Sequence, residues 1–497
     1  MPIKTILCSA LLALKKVWAK MRITVVNHKY HYEMEKLVRL FLPNEKIEVT
    51  KEISDGDGLY TEVGSEITVN FKSGDFEKRL TAPLCEDNEM QMGRMVYSIF
   101  GEYTGVYPKW GVLTGVRPSK LLMATEKRLG REKTEEYFLG DLLVTEEKYA
   151  LARRVADCEE KIISLSKENS FSLYVSIPFC PTRCSYCSFV SHSVQTEKAR
   201  ALVPEYCALL LKEIRETGKI AKTLGLRLES VYIGGGTPTT ISAHQMEDLL
   251  KTVTDNFDLS GCREFTVEAG RPDTVTEEKL RVLKNSPVTR ISINPQTFSD
   301  EVLKNIGRCH SAEETVTAFN LARKIGFDCI NMDLIAGLPG DTADGFKYSL
   351  DKAFSLDPEN ITVHTLALKR SSNLGVQDMR VTAENAEKVD EMLNYTYEKL
   401  NGKYAPYYMY RQSKSAGSLE NTGWCKKDTE CLYNIFMMEE CHTILAVGAG
   451  AVTKLKAQSG DYIERIFNFK YPFEYISGFE ELIKRKKRIT EFYNTYF

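Results

Sequence analysis

No apolar stretch of this 497-residue chain approaches the length of a membrane-spanning helix. The run nearest the start, Ile6 to Leu14, is too short to cross a bilayer, and Lys15, Lys16 and Lys20 follow it, whereas a secretory signal has its charge first. Residues 1–20 therefore read as an extension that adds nothing to the fold. Net charge is missing as well. The 66 Lys and Arg against 68 Asp and Glu leave −2 at pH 7, so no global field favours nucleic acid or an acidic membrane face, and an anionic ligand must be met by local groups. A secreted disulfide framework is absent: the 13 cysteines are odd in number and scattered, which points to a reducing compartment, the cytoplasm. Neither G-x-G-x-x-G nor G-x-x-x-x-G-K-[ST] follows a strand-like segment, which counts against nucleotide binding of the two common kinds. "AVGAGA" at 446–451 has two glycines at the right gap but no third.

What is present is a long globular chain, 43% hydrophobic and 10% aromatic, too long for one compact core. Residues 21–165 mix a strand (Arg22 to Val26), a helix (His31 to Phe41), a hairpin turning at Ser73-Gly74-Asp75 and a charged helical connector from Glu132 to Lys167. This predicts a small α+β domain. From residue 166 to 375, apolar β-rich runs alternate with helical patterns at Leu173–Ile177, Ser230–Ile233, Glu264–Val267, Arg290–Ile293, Cys329–Ile335 and Ile361–Leu366. Six such units predict an α/β fold with an incomplete (β/α)6 barrel, an open doubly wound sheet being the alternative. Residues 376–497, with a helix from Ala383 to Leu400 and the Tyr-rich "YAPYYMYRQ", read as a C-terminal appendage closing over the barrel mouth.

In a parallel barrel the chemistry sits where strands end. A loop with Cys180, Cys184 and Cys187 spaced C-x3-C-x2-C follows the first strand, and Gly234 to Pro238 follows the second. Glu268 ends the third, Asn294 and Gln296 follow the fourth, Asp333 lies on the fifth, and His364 and Ala367 end the sixth. Three thiols with His192 five residues on would make a Cys3His zinc site. Three thiols alone suit a four-iron cluster with one iron left open for an external ligand. The glycine run reads either as a tight strand-to-helix turn or as close backbone approach to a polar ligand. For Glu268 or Asp333 a structural ion pair and ligand binding are both open, since a buried acid needs a partner.

Cys180-x3-Cys184-x2-Cys187 with Tyr186 before the third Cys, "GGGTPT" and "NMDLIAGLPGDT" resemble the radical S-adenosylmethionine (SAM) enzymes, and within them the oxygen-independent coproporphyrinogen III oxidase group. "YPKWGVLTGVRPSKLL" and "GSLENTGW…HTILAVGAGAVTKL" resemble its HemZ-type subgroup, the coproporphyrinogen dehydrogenases. The resemblance implies that Cys180, Cys184 and Cys187 ligate a 4Fe-4S cluster whose open iron is chelated by SAM. It implies that Tyr174, Gly235, Gly236, Thr237 and Glu268 hold that SAM, with Val452 flanking it. It further implies a second SAM at Tyr186, Gln296, Arg308, Asp333 and Ala367. The implied reaction is oxidative decarboxylation of coproporphyrinogen III, begun by a 5′-deoxyadenosyl radical and fed by a reductant protein such as flavodoxin or ferredoxin. The four propionates of that substrate need cationic donors, and Lys369, Arg370, Arg411 and Lys414 lie near the expected mouth. One position departs from the oxidase pattern: Ser188 and Phe189 stand where that group continues to a fourth Cys. Relatives with Phe there include haem carriers, and others degrade haem by methyl transfer.

Overall fold

The computed structural model describes residues 21–53, 56–189, 191–367, 386–412 and 415–497. The extension 1–20, Lys369, Arg370, Lys414 and the expected boundary at 375/376 lie outside them. The chain divides into two compact units: one runs to Gly115 and takes in Thr125–Ala150, the other comprises Val116–Ala124 and Leu151–Phe497.

The first unit is built on β1 (Met21–Val26), β2 (Ile47–Thr50), β3 (Gly58–Val63), β4 (Ile67–Ser73) and β5 (Phe76–Ala82), in the order β2-β1-β3-β4-β5. The β4–β5 hairpin closes with Ser73 opposite Phe76, around the turn expected from Gly74. Helices His31–Phe41 and Asn88–Thr104 pack on the sheet with a core that includes Ile23, Leu37, Phe71, Val96 and Phe100. Asp87 caps the second helix by accepting from the Met90 amide at 2.9 Å, and Gly105 ends it at φ +71°. The connector is not one helix. Arg131–Glu136 runs into a π turn at Tyr137–Asp141, and Glu146–Ile163 starts anew. Tertiary bonds break it: Arg94 reaches Asp141 at 2.8 Å, and the Leu142 carbonyl accepts from the Val112 amide at 2.8 Å.

In the second unit β6 (Ser170–Ile177), β9 (Arg227–Gly235), β10 (Glu264–Glu268), β11 (Arg290–Ser292), β12 (Ile330–Ala336) and β13 (Asn360–Thr365) lie parallel and side by side in chain order. A doubly wound sheet would reverse its order at a switch point; this one does not, and it is the incomplete barrel. Its strands are buried on both faces, as "INMDLIA" in β12 illustrates, which is why they read as continuous apolar runs. A two-residue bridge pairs β7 (Phe179–Cys180) with β8 (His192–Ser193) and closes the cysteine loop. The crossover helices are capped by local signals, Ala312–Ile325 by a Ser311/Glu314 capping box and by Gly326 at φ +102°.

Strands of the C-terminal segment join both ends of the barrel sheet. Its β14 (Ala405–Arg411) and β15 (Glu420–Cys425) extend the sheet antiparallel beyond β13. Its β16 (Thr443–Val447) lies parallel to β6 at the other end, followed by β17 (Val452–Lys456) and β18 (Ile463–Phe467). The result is one eleven-stranded sheet. The amides of "AVGAGA" are engaged by the chain itself: Glu213 accepts from the Gly448 amide at 2.8 Å, Tyr206 from the Ala449 amide at 2.9 Å, and the Phe469 carbonyl from the Gly450 amide at 2.8 Å.

Candidate functional site

The ends of the parallel strands enclose a cavity of about 440 Å³. Of the residues named from the sequence, Tyr174, Cys180, Tyr186, Cys187, Gly235, Gly236, Glu268, Gln296, Arg308, Asp333 and Ala367 line it, joined by Asn294 and His364. Cys184 and Thr237 are buried and do not line it. Val452 begins β17, away from the lining.

The cysteine loop is tied at both ends. The Val194 amide donates to the Cys180 carbonyl at 3.0 Å, the Ser185 amide to the Ile306 carbonyl at 3.0 Å, and the Cys187 amide to the Cys184 carbonyl at 3.2 Å. The glycine run is the loop's floor. A Cβ on Gly236 would lie 2.6 Å from the Phe179 carbonyl oxygen and 2.9 Å from the Cys180 Sγ. Gly235, at φ +109°, would set one 2.9 Å from the Ser176 hydroxyl, so only glycine lets the strand end come this close. The Thr237 hydroxyl points at the Cys180 Sγ at 3.5 Å.

Burial pushes the Cys180 thiol up, opposed by Thr237 and Ser191, and pushes the Cys187 thiol up to about 11. Both must shed protons to bind metal. Among the described residues no three His, Cys, Asp or Glu side chains could hold a single ion together. His192 pairs with Phe179 on the β7–β8 bridge and packs edge-on to Tyr471 and Phe473 at 6.1 and 6.3 Å. It does not line the cavity, whereas Cys180 and Cys187 do. The donor set fits a polynuclear iron centre: three thiols on one loop, two of them facing an open cavity, with the Arg271 guanidinium 4.0 Å from the Cys184 Sγ.

Across the cavity Glu268 receives the Tyr232 hydroxyl at 2.5 Å. Burial pushes its carboxyl up to about 7; the Tyr232 bond pulls down and the Asp333 charge adds to the rise. Tyr232, Tyr174 and Tyr433 form a stack, with ring centres 4.5 Å apart for Tyr232–Tyr433 and 5.7 Å for Tyr174–Tyr433. On the next wall the Tyr186 hydroxyl donates to the Gln296 Oε1 at 3.3 Å, and Arg308 donates to Tyr186 at 3.2 Å and to the Asn294 carbonyl at 2.8 Å. Gln296 sits at φ +68°, a costly conformation for a residue with a Cβ. Its amide donates to the Asp333 carbonyl at 2.9 Å, which fixes it between β11 and β12. Asp333 accepts from the Asn331 amide side chain at 2.8 Å and lies 3.9 Å from the His364 Nε2. Tyr408, Tyr410 and Gln412 complete the far wall.

Arg411 does not line the cavity. It is 4% exposed, donates to the Ser418 carbonyl at 3.0 Å, and burial pushes its guanidinium down to about 10. It is therefore no open donor for a ligand carboxylate. The other three expected cations lie outside the described residues. Sequence reading passed over Tyr232, Tyr433 and Arg271. Tyr232 lies directly opposite Tyr174 in the β6–β9 register, a pairing that no local sequence signal marks.

Residues 174–353 match the Radical SAM superfamily, whose members hold a 4Fe-4S cluster and SAM. The chain is 39% identical over 395 residues to the oxygen-independent coproporphyrinogen-III oxidase-like protein HemZ of Bacillus subtilis, spanning 78% of each. It is 37% identical over 253 residues to the heme chaperone HemW of the same organism, 50% of this chain and 64% of that one. Among solved structures, coproporphyrinogen III oxidase (HemN) from Escherichia coli aligns over 66% of this chain and 72% of its own, with a TM-score of 0.48 and 23% identity. The chain belongs to the radical SAM superfamily and, within it, to the family of oxygen-independent coproporphyrinogen-III oxidase-like proteins.

Proposed function

We propose that this chain is a radical SAM enzyme acting on a tetrapyrrole, and that it decarboxylates coproporphyrinogen III oxidatively to protoporphyrinogen IX, without oxygen, in haem biosynthesis. The observation that carries the reading is the convergence, on one cavity, of the cysteine loop, the glycine floor, Glu268 and the Tyr186–Gln296–Arg308–Asp333 wall. The cluster and SAM, when bound, supply hydrogen-atom abstraction from a propionate side chain.

The chain's own residues do the rest. Cys180, Cys184 and Cys187 hold the cluster; Tyr174, Gly235, Gly236, Thr237 and Glu268 orient the SAM beside it. Tyr186, Gln296, Arg308, Asp333 and Ala367 offer a place for a second SAM. The tyrosine walls exclude water around the reacting carbon. A low-potential reductant protein of the flavodoxin or ferredoxin kind would feed the cluster in a reducing cytoplasm, with residues 376–497 closing the mouth and residues 21–165 supplying the N-terminal α+β domain and its helical connector.

A second reading, a haem carrier, is favoured by Phe189, 63% exposed at the cavity in place of a fourth Cys, and by the similarity to heme chaperones. Anaerobic incubation with dithionite, SAM and coproporphyrinogen III separates the two. Formation of 5′-deoxyadenosine together with protoporphyrinogen IX supports the oxidase. Tight haem binding, with SAM cleaved but no decarboxylated porphyrin, rejects it in favour of the carrier.

A further inference from the structure

On the cluster reading given above, we propose that Arg271 is a positioning residue for the cysteine loop and that its charge raises the reduction potential of the cluster held there. Arg271 follows β10 and its side chain is 3% exposed. Its Nε and Nη2 fork onto Asp273 at 2.9 and 2.8 Å. The remaining Nη1 turns to the cysteine loop, donating to the Thr182 hydroxyl at 2.8 Å and lying 4.0 Å from the Cys184 Sγ. Thr182 is itself anchored through its hydroxyl to the Gly307 carbonyl at 2.9 Å. One guanidinium thus joins the end of the third strand to the middle of the loop.

The local charge balance gives this arrangement its consequence. Arg308 also approaches Cys184, so two buried guanidinium groups of like sign converge on one sulfur. Asp273 offsets one of them. His310 adds no third charge, because burial and the two arginines push it down to about 3. One positive charge is left facing the sulfur, where three thiolates on a cluster would answer it. Reduction adds a further negative charge to that cluster. A guanidinium N–H aimed at a ligating sulfur stabilises the reduced state more than the oxidised one, and so raises the potential.

The test is a dithionite titration of the anaerobically reconstituted full-length protein, followed by electron paramagnetic resonance, with iron content and circular dichroism as controls. Arg271→Gln should keep the fold and the cluster while its reduction equilibrium falls about tenfold, a midpoint lower by about 59 mV for one electron. Arg271→Lys, which keeps the charge without the fork, should fall between the two. A full cluster in Arg271→Gln with the wild-type midpoint overturns the proposal. Should that variant fold without iron, Asp273→Asn decides: loss of the offsetting anion should move the midpoint up, and an unchanged or lower midpoint overturns the proposal. A wild-type chain that takes up no iron fails the cluster reading itself, and the proposal with it.

Discussion

The Tyr232 hydroxyl and the Glu268 carboxylate meet at 2.5 Å on the cavity wall, and on the proposed role of Glu268 this pair should make SAM binding depend on pH. With its carboxyl pushed up to about 7 by burial, Glu268 is half protonated near neutrality in the free protein. A protonated acid loses its strength as an acceptor, so SAM affinity should fall, by up to about tenfold per pH unit, as pH drops below about 7. Isothermal titration at pH 6, 7 and 8 checks this. Glu268→Gln should weaken binding by about 1.5–3 kcal/mol, the worth of one charge-assisted hydrogen bond, and flatten the dependence. An unfolded variant whose residual folded material binds SAM normally would make Glu268 a structural acid.

Arg308 ties Tyr186 to the Asn294 carbonyl and belongs to the set read as the second SAM site. Arg308→Ala should abolish decarboxylation while reductive cleavage of a single SAM continues. Comparison of 5′-deoxyadenosine yield with vinyl product in one reaction measures both. Parallel loss of the two would place Arg308 at the cluster rather than at the second site.

Glu229 is fully buried near the start of β9, where it accepts from Arg263 and from Ser166, each at 2.7 Å. Burial pushes its carboxyl up, yet His442, Arg263 and Ser166 together hold it down to about 2. Because the folded value lies below the unfolded one, the stability it contributes is present above about pH 4.5 and is lost as pH falls towards about 2. The difference corresponds to about 3 kcal/mol. Acid unfolding of Glu229→Gln should lack this component, and a wild-type acid limb in the variant would contradict the assignment.

The six parallel strands were legible because burial on both faces writes each as an apolar run, and the cysteine loop, the glycine run and Glu268 because each is local in sequence. Long-range pairing was not legible. Thr443 pairs with Phe171 and Cys425 with Asn360, and nothing near β15 or β16 announces the edge each will join. The expected single connector helix failed for a similar reason: Arg94 and Val112, distant in sequence, take the groups at Asp141 and Leu142. Arg271 was passed over because "AGRPD" reads as an ordinary turn, while its partner Thr182 lies on another loop.

On the proposed function, Cys180, Cys184 and Cys187 hold a four-iron cluster with one iron open to SAM. Iron analysis with electron paramagnetic resonance, on the anaerobically reconstituted and reduced protein with and without SAM, tests it most directly. The prediction is about four irons per chain, a signal that changes when SAM is added, and loss of that signal in Cys184→Ala. Stoichiometric zinc without iron, or a cluster signal indifferent to SAM, would contradict it.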